Sequence, residues 1–209
     1  MTLFRAWAAP RAGSPLERLD YDPGTLHPED VEIAVEYCGV CHSDLAMVDS
    51  EWFPATYPLV PGHEIVGTVV AVGEQAKGIS VGQRVGIGWH SKSCCHCNFC
   101  MGGEQNLCPK RQPTIVGRHG GFADKVRAHW GWALPIPEGV DPASAGPLMC
   151  GGGTAFLPFV IHGIKPTDKV GVVGIGGLGH LAVKFSRAWG CEVTAFTSTP
   201  SKREEALLL

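Results

Sequence analysis

Apolar positions repeat with period two in the first part of this chain. After residue 151 they follow an alternation of strand and helix, and the change divides the sequence. Val31, Ile33, Val35 and Tyr37 alternate with Glu32, Ala34 and Glu36, which predicts a strand with one buried face. Ile65–Val72 is a more continuous apolar run and predicts a second, more deeply buried strand. Val81–Gly86 reads as a turn entering another strand, and Gly120-Gly121-Phe122 opens one that runs toward Val126. Many Gly and Pro residues punctuate this stretch. Residues 1–150 therefore read as one β-rich domain.

Gly151-Gly152-Gly153 offers little steric restraint and is expected to act as a hinge. A helix is predicted over 154–162 and a short apolar strand over Lys169–Gly174. Glycines follow at once, then a helix from about Leu178 to Trp189 and a second strand, Cys191–Phe196. Ser201-Lys202-Arg203-Glu204 fits a capping box and predicts that a new helix starts there. Strand, glycine loop, helix and strand open a doubly wound parallel α/β fold. Residues 151–209 supply two strands of such a sheet, so the sequence is expected to be truncated.

Hydrophobic residues make up 44% and charged residues 18%, with a formal net charge of −3, which suits a globular chain and argues against nucleic-acid or membrane-surface partners. No run is long and apolar enough to span a bilayer, and Arg5 and Pro10 interrupt the N-terminus where a secretory h-region would lie. Nine cysteines, an odd number clustered as in metal sites, point to a reducing cytoplasm rather than a disulfide framework.

The clustering is specific. Cys94-x2-Cys97-x2-Cys100-x7-Cys108 can wrap one tetrahedral zinc and leave no position open, a structural role, within a lobe spanning residues 92–110. Lys92, Lys110 and Arg111 flank it and can offset the negative charge of four thiolates, whereas Cys95, His90 and His96 read as bystanders. A second, dispersed set comprises Cys41, His63 and Cys150. Two thiolates and a neutral imidazole leave a fourth position free, where an alcohol would lose its proton or an aldehyde be polarised. Glu64 is a candidate exchangeable fourth ligand, Asp44 the candidate acceptor that fixes the His63 tautomer, and Ser43 a candidate proton carrier. Trp52 and Trp89 are candidates to line an apolar pocket.

Gly174-Ile175-Gly176-Gly177-Leu178-Gly179 satisfies G-x-G-x-x-G between a predicted strand and a predicted helix, the context in which such loops hold a pyrophosphate. Past the next strand stand Thr197-Ser198-Thr199 and Lys202, where an NAD site would carry a carboxylate. Hydroxyls and a cation suit a 2′-phosphate, so NADP(H) is the expected cofactor.

Together these motifs resemble the zinc-dependent medium-chain alcohol dehydrogenases, in particular the cinnamyl alcohol dehydrogenase-like subgroup. The resemblance is carried by Tyr37–Asp44, Val60–Glu64, the Cys94–Cys108 lobe, Gly174–His180 and Ser201–Ala206. It implies a GroES-like catalytic domain followed by the start of a Rossmann domain, with two zinc ions per chain. Cys41, His63, Glu64 and Cys150 would serve the catalytic zinc. Cofactor contacts would come from Ser43, Thr154, Gly174–Gly179, Thr197, Ser198, Thr199 and Lys202. It also implies a homodimeric full-length form and interconversion of aldehydes and primary alcohols with NADP(H). The competing readings are an NAD-dependent polyol or alcohol dehydrogenase, and an inactive zinc-binding fragment of such an enzyme.

Overall fold

The computed structural model describes residues 3–52 and 54–209. The chain forms two compact units, Met1–Met149 and Cys150–Leu209.

The first unit is built on strands β1 (Phe4–Ala8), β2 (Glu17–Tyr21) and β3 (Asp30–Gly39), helix α1 (His42–Val48), β4 (Glu64–Val72), β5 (Arg84–Ile87) and β6 (His90–Lys92). Helix α2 (Asn98–Met101), β7 (Gln112–Pro113), β8 (Lys125–His129), β9 (Leu134–Pro135) and α3 (Pro142–Ala145) complete it. Five strands make an antiparallel sheet in the order β8-β3-β4-β5-β9, and β1-β2 and β6-β7 are separate pairs. Val31, Ile33, Ile65, Val69, Val85, Ile87, Val126 and Ala128 close over one another on this sheet as its core.

The alternation in β3 predicts its inward face only in part. Val31 and Ile33 are fully buried, but Tyr37 is 46% exposed. The β3–β4 register shifts at Glu32/Ile33 and again at Val35/Tyr37, and each bulge interrupts the period-two rule. Glu32, expected to face solvent, is buried. Its cross-strand partner Arg127 and the neighbouring Lys125 reach it at 2.8 and 2.9 Å. The strand expected to open at Gly120 begins instead at Lys125. Gly120 and Gly121 are closely packed: an added Cβ on Gly120 would strike the backbone oxygen of Gly62 at 2.5 Å, and one on Gly121 the Ile65 side chain at 2.3 Å.

Burial would push the Glu32 carboxyl up, but hydrogen bonds and charge from Lys125 and Arg127 outweigh it and hold the carboxyl below its ordinary 4.5. Glu32→Ala strips two partly buried cations of their partner and should destabilise the chain by about 2–3 kcal/mol in urea unfolding. The sign of the pH effect follows from the lowered value. The ion pair contributes fully above the unfolded-state pKa, and its contribution fades as pH falls through the depressed folded value. Glu32→Gln should lack that acid-side loss. A parallel pH-stability curve for the two proteins would refute the assignment.

The second unit comprises α4 (Gly151–Ile161), β10 (Lys169–Val173), α5 (Gly177–Trp189), β11 (Glu192–Phe196) and α6 (Arg203–Leu208). Strands β10 and β11 pair in parallel across the helix that links them. Val172, Ile175 and Val183 form the buried centre, and Phe156, Phe159 and Trp189 pack together where α4 meets α5. Gly190 ends α5 in the left-handed region at φ 104°, the usual role of glycine past a helix C-terminus. Two expectations are corrected. Gly151-Gly152-Gly153, expected to be a loose segment, forms the first turn of α4, and Gly151 and Gly152 are buried. The capping box at Ser201 is not formed. Pro200–Lys202 makes a 3₁₀ turn, and α6 starts at Arg203 without a side-chain cap. Among the described residues no single helix is long and apolar enough to cross a membrane.

Candidate metal centres

The lobe between β6 and β7 has almost no apolar interior. Phe99, Met101 and Leu107 point outward, while Cys100 and Cys108 are buried. What converges inside is sulfur. The ligand atoms of Cys94, Cys97, Cys100 and Cys108 all lie within 4.8 Å of one another, and Cys94 Sγ is 3.9 Å from Cys100 Sγ and 3.6 Å from Cys108 Sγ. A tetrahedron with Zn–S bonds near 2.3 Å has edges of about 3.8 Å. The four thiols thus already have the spacing that zinc imposes. Backbone N–H groups of Cys94 and Lys110 point at Cys108 Sγ from 3.5 and 3.4 Å, as suits an anionic sulfur. A backbone hydrogen bond from His96, with help from Cys97 and Cys108, pulls the Cys94 thiol down to about 6. Cys95 is exposed in the left-handed conformation at φ 60°, its sulfur turned toward Ser93, and takes no part in the cluster.

The second cluster is organised by one buried carboxylate. Cys41 precedes α1, and Asp44 sits in the first turn of that helix. Asp44 Oδ2 accepts the N–H of Cys41 at 3.0 Å. Its Oδ1 accepts the N–H of Gly62 at 2.8 Å and contacts His63 Nδ1 at 2.8 Å. An ionised carboxylate can only accept, so Nδ1 carries the proton and Nε2 keeps its lone pair for a metal. His63 is fully buried, with its ring edge-to-face against Trp89 at 5.0 Å; Trp89 in turn meets Trp52 at 6.3 Å. Gly62 permits the turn into His63. Its φ is 99°, and a Cβ there would strike Phe122 at 2.5 Å. Glu64 opens β4 and is buried, and Ser43 Oγ lies 3.5 Å from Cys41 Sγ. The ligand atoms of Cys41, His63 and Glu64 all lie within 4.8 Å of one another. A sulfur, an imidazole nitrogen and a carboxylate are donors suited to zinc. Cys150 stands at the start of α4, and its carbonyl accepts both the N–H and the hydroxyl of Thr154, at 3.1 and 3.0 Å.

In the second unit the glycines of the loop divide by role. Gly174 takes φ 86°, and a Cβ on Gly179 would fall 1.9 Å from Gly174 O, so both serve the turn itself. Gly176 and Gly177 have neither a positive φ nor any atom within 4 Å of an added Cβ. Their lack of side chains leaves an open approach to the N-terminus of α5, as a phosphate would require. Ile175 is buried beneath, and Leu178 is exposed. Lys202 Nζ donates to Ile175 O at 2.7 Å, which places its ammonium beside this loop. Thr197 Oγ1 accepts the N–H of Thr199 at 3.1 Å, and Thr197, Ser198 and Thr199 are all exposed. Gly39 approaches Glu64 across the β3–β4 ladder, a closeness that no local pattern in the sequence signals.

Residues 27–138, more than half of the chain, match the family described as alcohol dehydrogenase GroES-like domain. The chain is 56% identical over 207 residues to the aldehyde reductase AdhA of Synechocystis sp., covering 99% of this chain and 62% of that protein. Among solved structures it is similar to a cinnamyl alcohol dehydrogenase from Sorghum bicolor, at TM-score 0.93 and 38% identity, covering 98% of this chain and 61% of that one. It is also similar to the cinnamyl alcohol dehydrogenase of Helicobacter pylori complexed with NADP(H), at TM-score 0.93 and 30% identity, with 99% and 62% covered. The chain thus spans about three fifths of the length of these relatives. By the matched domain and these likenesses, the chain belongs to the alcohol dehydrogenase GroES-like family, among the zinc-dependent medium-chain dehydrogenases that include the cinnamyl alcohol dehydrogenases.

Proposed function

We propose that this chain carries the zinc centres and the first part of the nucleotide site of an NADP(H)-dependent oxidoreductase that interconverts aldehydes and primary alcohols. The observation that carries the reading is Asp44. One buried carboxylate fixes the Cys41 backbone, the turn at Gly62 and the tautomer of His63 together. That arrangement serves ligands of a reactive metal. Cys41, His63 and Cys150 would hold a zinc, with Glu64 within ligand reach. When bound, zinc supplies Lewis acidity toward a carbonyl oxygen and the nicotinamide supplies hydride. The chain's own residues do the rest. Asp44 keeps His63 Nε2 available, Trp89 walls the imidazole from water, and Ser43, whose Oγ lies 3.5 Å from Cys41 Sγ, would carry a proton to the oxygen of the reduced substrate. Cys94, Cys97, Cys100 and Cys108 would hold a second zinc that shapes their lobe. Nine cysteines with metal-site spacing suit a reducing compartment, so the reading includes a cytoplasmic location, and the family resemblance adds small-molecule substrates and a homodimeric full-length form.

The cofactor assignment rests on chemistry after β11. Thr197, Ser198 and Thr199 present hydroxyls, Lys202 an ammonium, and no carboxylate occurs from 197 to 203. The Helicobacter pylori relative was solved with NADP(H). The test is zinc analysis combined with aldehyde reduction on the full-length enzyme, comparing NADPH with NADH. Two zincs per chain and a preference for NADPH are expected. A large preference for NADH would sink the roles given to Ser198 and Lys202 and favour the NAD-dependent alternative. Lys202→Glu removes one charge-assisted contact and adds a repulsion. It should raise the KM for NADPH about 10–100-fold and that for NADH by a clearly smaller factor.

A further inference from the structure

Glu64 lies where it does because residue 39 has no side chain. Gly39 and Glu64 are register partners at the end of the β3–β4 ladder. A Cβ on Gly39 would meet Glu64 Oε2 at 2.1 Å, Cβ at 3.0 Å and Cδ at 3.2 Å. The carboxylate therefore folds back over the neighbouring strand and fills the volume that any other residue would occupy. Backbone freedom is not what position 39 requires, since Gly39 does not take a positive φ. Gly146 makes a second close approach at the same rung, where an added Cβ would stand 2.8 Å from Glu64 O and 3.4 Å from Gly39 N. From this place one carboxylate oxygen of Glu64 comes within 4.8 Å of the ligand atoms of Cys41 and His63.

We propose that Gly39 is a positioning residue of the Cys41–His63 centre: the space it leaves is the berth from which the Glu64 carboxylate acts on the metal. The inference rests on the zinc reading given above. It extends that reading from the ligands to the strand that sets one ligand's reach. A methyl group at 39 collides chiefly with the far end of a flexible side chain, so Gly39→Ala should fold and expel the carboxylate rather than unfold the sheet. Displacing a negative charge from the rim of a cation site weakens that site and leaves the tetrathiolate untouched.

The experiment is a double-mutant cycle read by zinc competition against a chromogenic chelator, with thermal unfolding alongside, on the full-length enzyme. Gly39→Ala is expected to lower zinc affinity at the weaker of the two sites about tenfold, as loss of a supporting group does, with the tighter site unchanged. Glu64→Ala should lower it at least as much. Gly39→Ala should add little in the Glu64→Ala background, where the carboxylate is gone and the methyl group meets only the Cβ of residue 64 at 3.0 Å. Wild-type affinity in Gly39→Ala overturns the proposal, as does an equal loss with Glu64 already removed. If Gly39→Ala unfolds, Glu64→Ala must rescue it; unfolding in both backgrounds shows that Gly39 serves backbone packing only, and the proposal falls. A wild-type protein that takes up one zinc instead of two would refute the catalytic-zinc reading itself, a result distinct from two bound zincs with an indifferent Gly39.

Discussion

Cys108→Ser is expected to unfold the lobe between Lys92 and Lys110 and to release one of two zinc ions per chain. The lobe's short helix α2 spans four residues, and its large apolar side chains face solvent, so hydrophobic burial cannot hold it. Cys108 is the buried thiol on which backbone N–H groups of Cys94 and Lys110 converge. Structural zinc contributes about 10–16 kcal/mol to the folding of small zinc domains, well beyond the roughly 0.5–3 kcal/mol of most single substitutions. Limited proteolysis should therefore cut Cys108→Ser within residues 94–108 at a chelator concentration that leaves the wild type intact. The five-stranded sheet should remain protected, since its core residues lie elsewhere. Two bound zincs and an uncut lobe in this variant would remove the case for a structural metal.

Asp44→Asn should be nearly as damaging at the other centre, although it changes no heavy-atom shape. Asp44 accepts from Cys41 N on one oxygen, and from Gly62 N and His63 Nδ1 on the other. An amide has one acceptor and one donor end. If its NH₂ faces Cys41, two donors oppose each other there; if it faces Gly62 and His63, the imidazole loses the acceptor that sets its tautomer. The site is buried, so water cannot repair the mismatch. Zinc affinity at the Cys41–His63 site is expected to fall about 10–100-fold, and global stability by about 2–4 kcal/mol. Competition titration and urea unfolding measure the two effects separately. Retention of wild-type zinc affinity would mean that Asp44 only caps α1.

The strands, the glycine loop and the helix of the second unit were legible in the sequence because each has a local cause. Val170–Val173 is apolar and bounded by turn residues, and Gly190 stops α5 with a left-handed turn. The observed elements start and end within a residue or so of the pattern over 169–196. The four thiols of the lobe were legible for the same reason, since their spacing is short enough for a local chain to close on one point. Legibility ended where two distant segments meet. The alternation in β3 could not announce its bulges, which arise from the pairing with β4. Nor could Glu32 be seen as buried, because Lys125 and Arg127 reach it from β8. The triple glycine reads as loose in isolation, yet it forms the first turn of α4, where Gly151 packs against Leu178 and Leu181 of α5. At Ser201 a local capping pattern lost to the 3₁₀ turn begun by Pro200.

By itself the sequence determined which chemistry was available: eight ligand-type side chains in two sets, a glycine loop in strand–helix context, and hydroxyls with a cation in place of a carboxylate after β11. Those are matters of residue type and short spacing, and both are written in one dimension. Tertiary structure alone decided that Asp44 serves Cys41, Gly62 and His63 at once, that Trp89 stands edge-on to the imidazole, and that Gly39 yields its volume to Glu64. Each of these depends on a distance between segments about 18 to 26 residues apart, fixed when β3 and β4 pair and close the core. A pattern along the chain records what a residue can do; only close packing settles which neighbour it does it to.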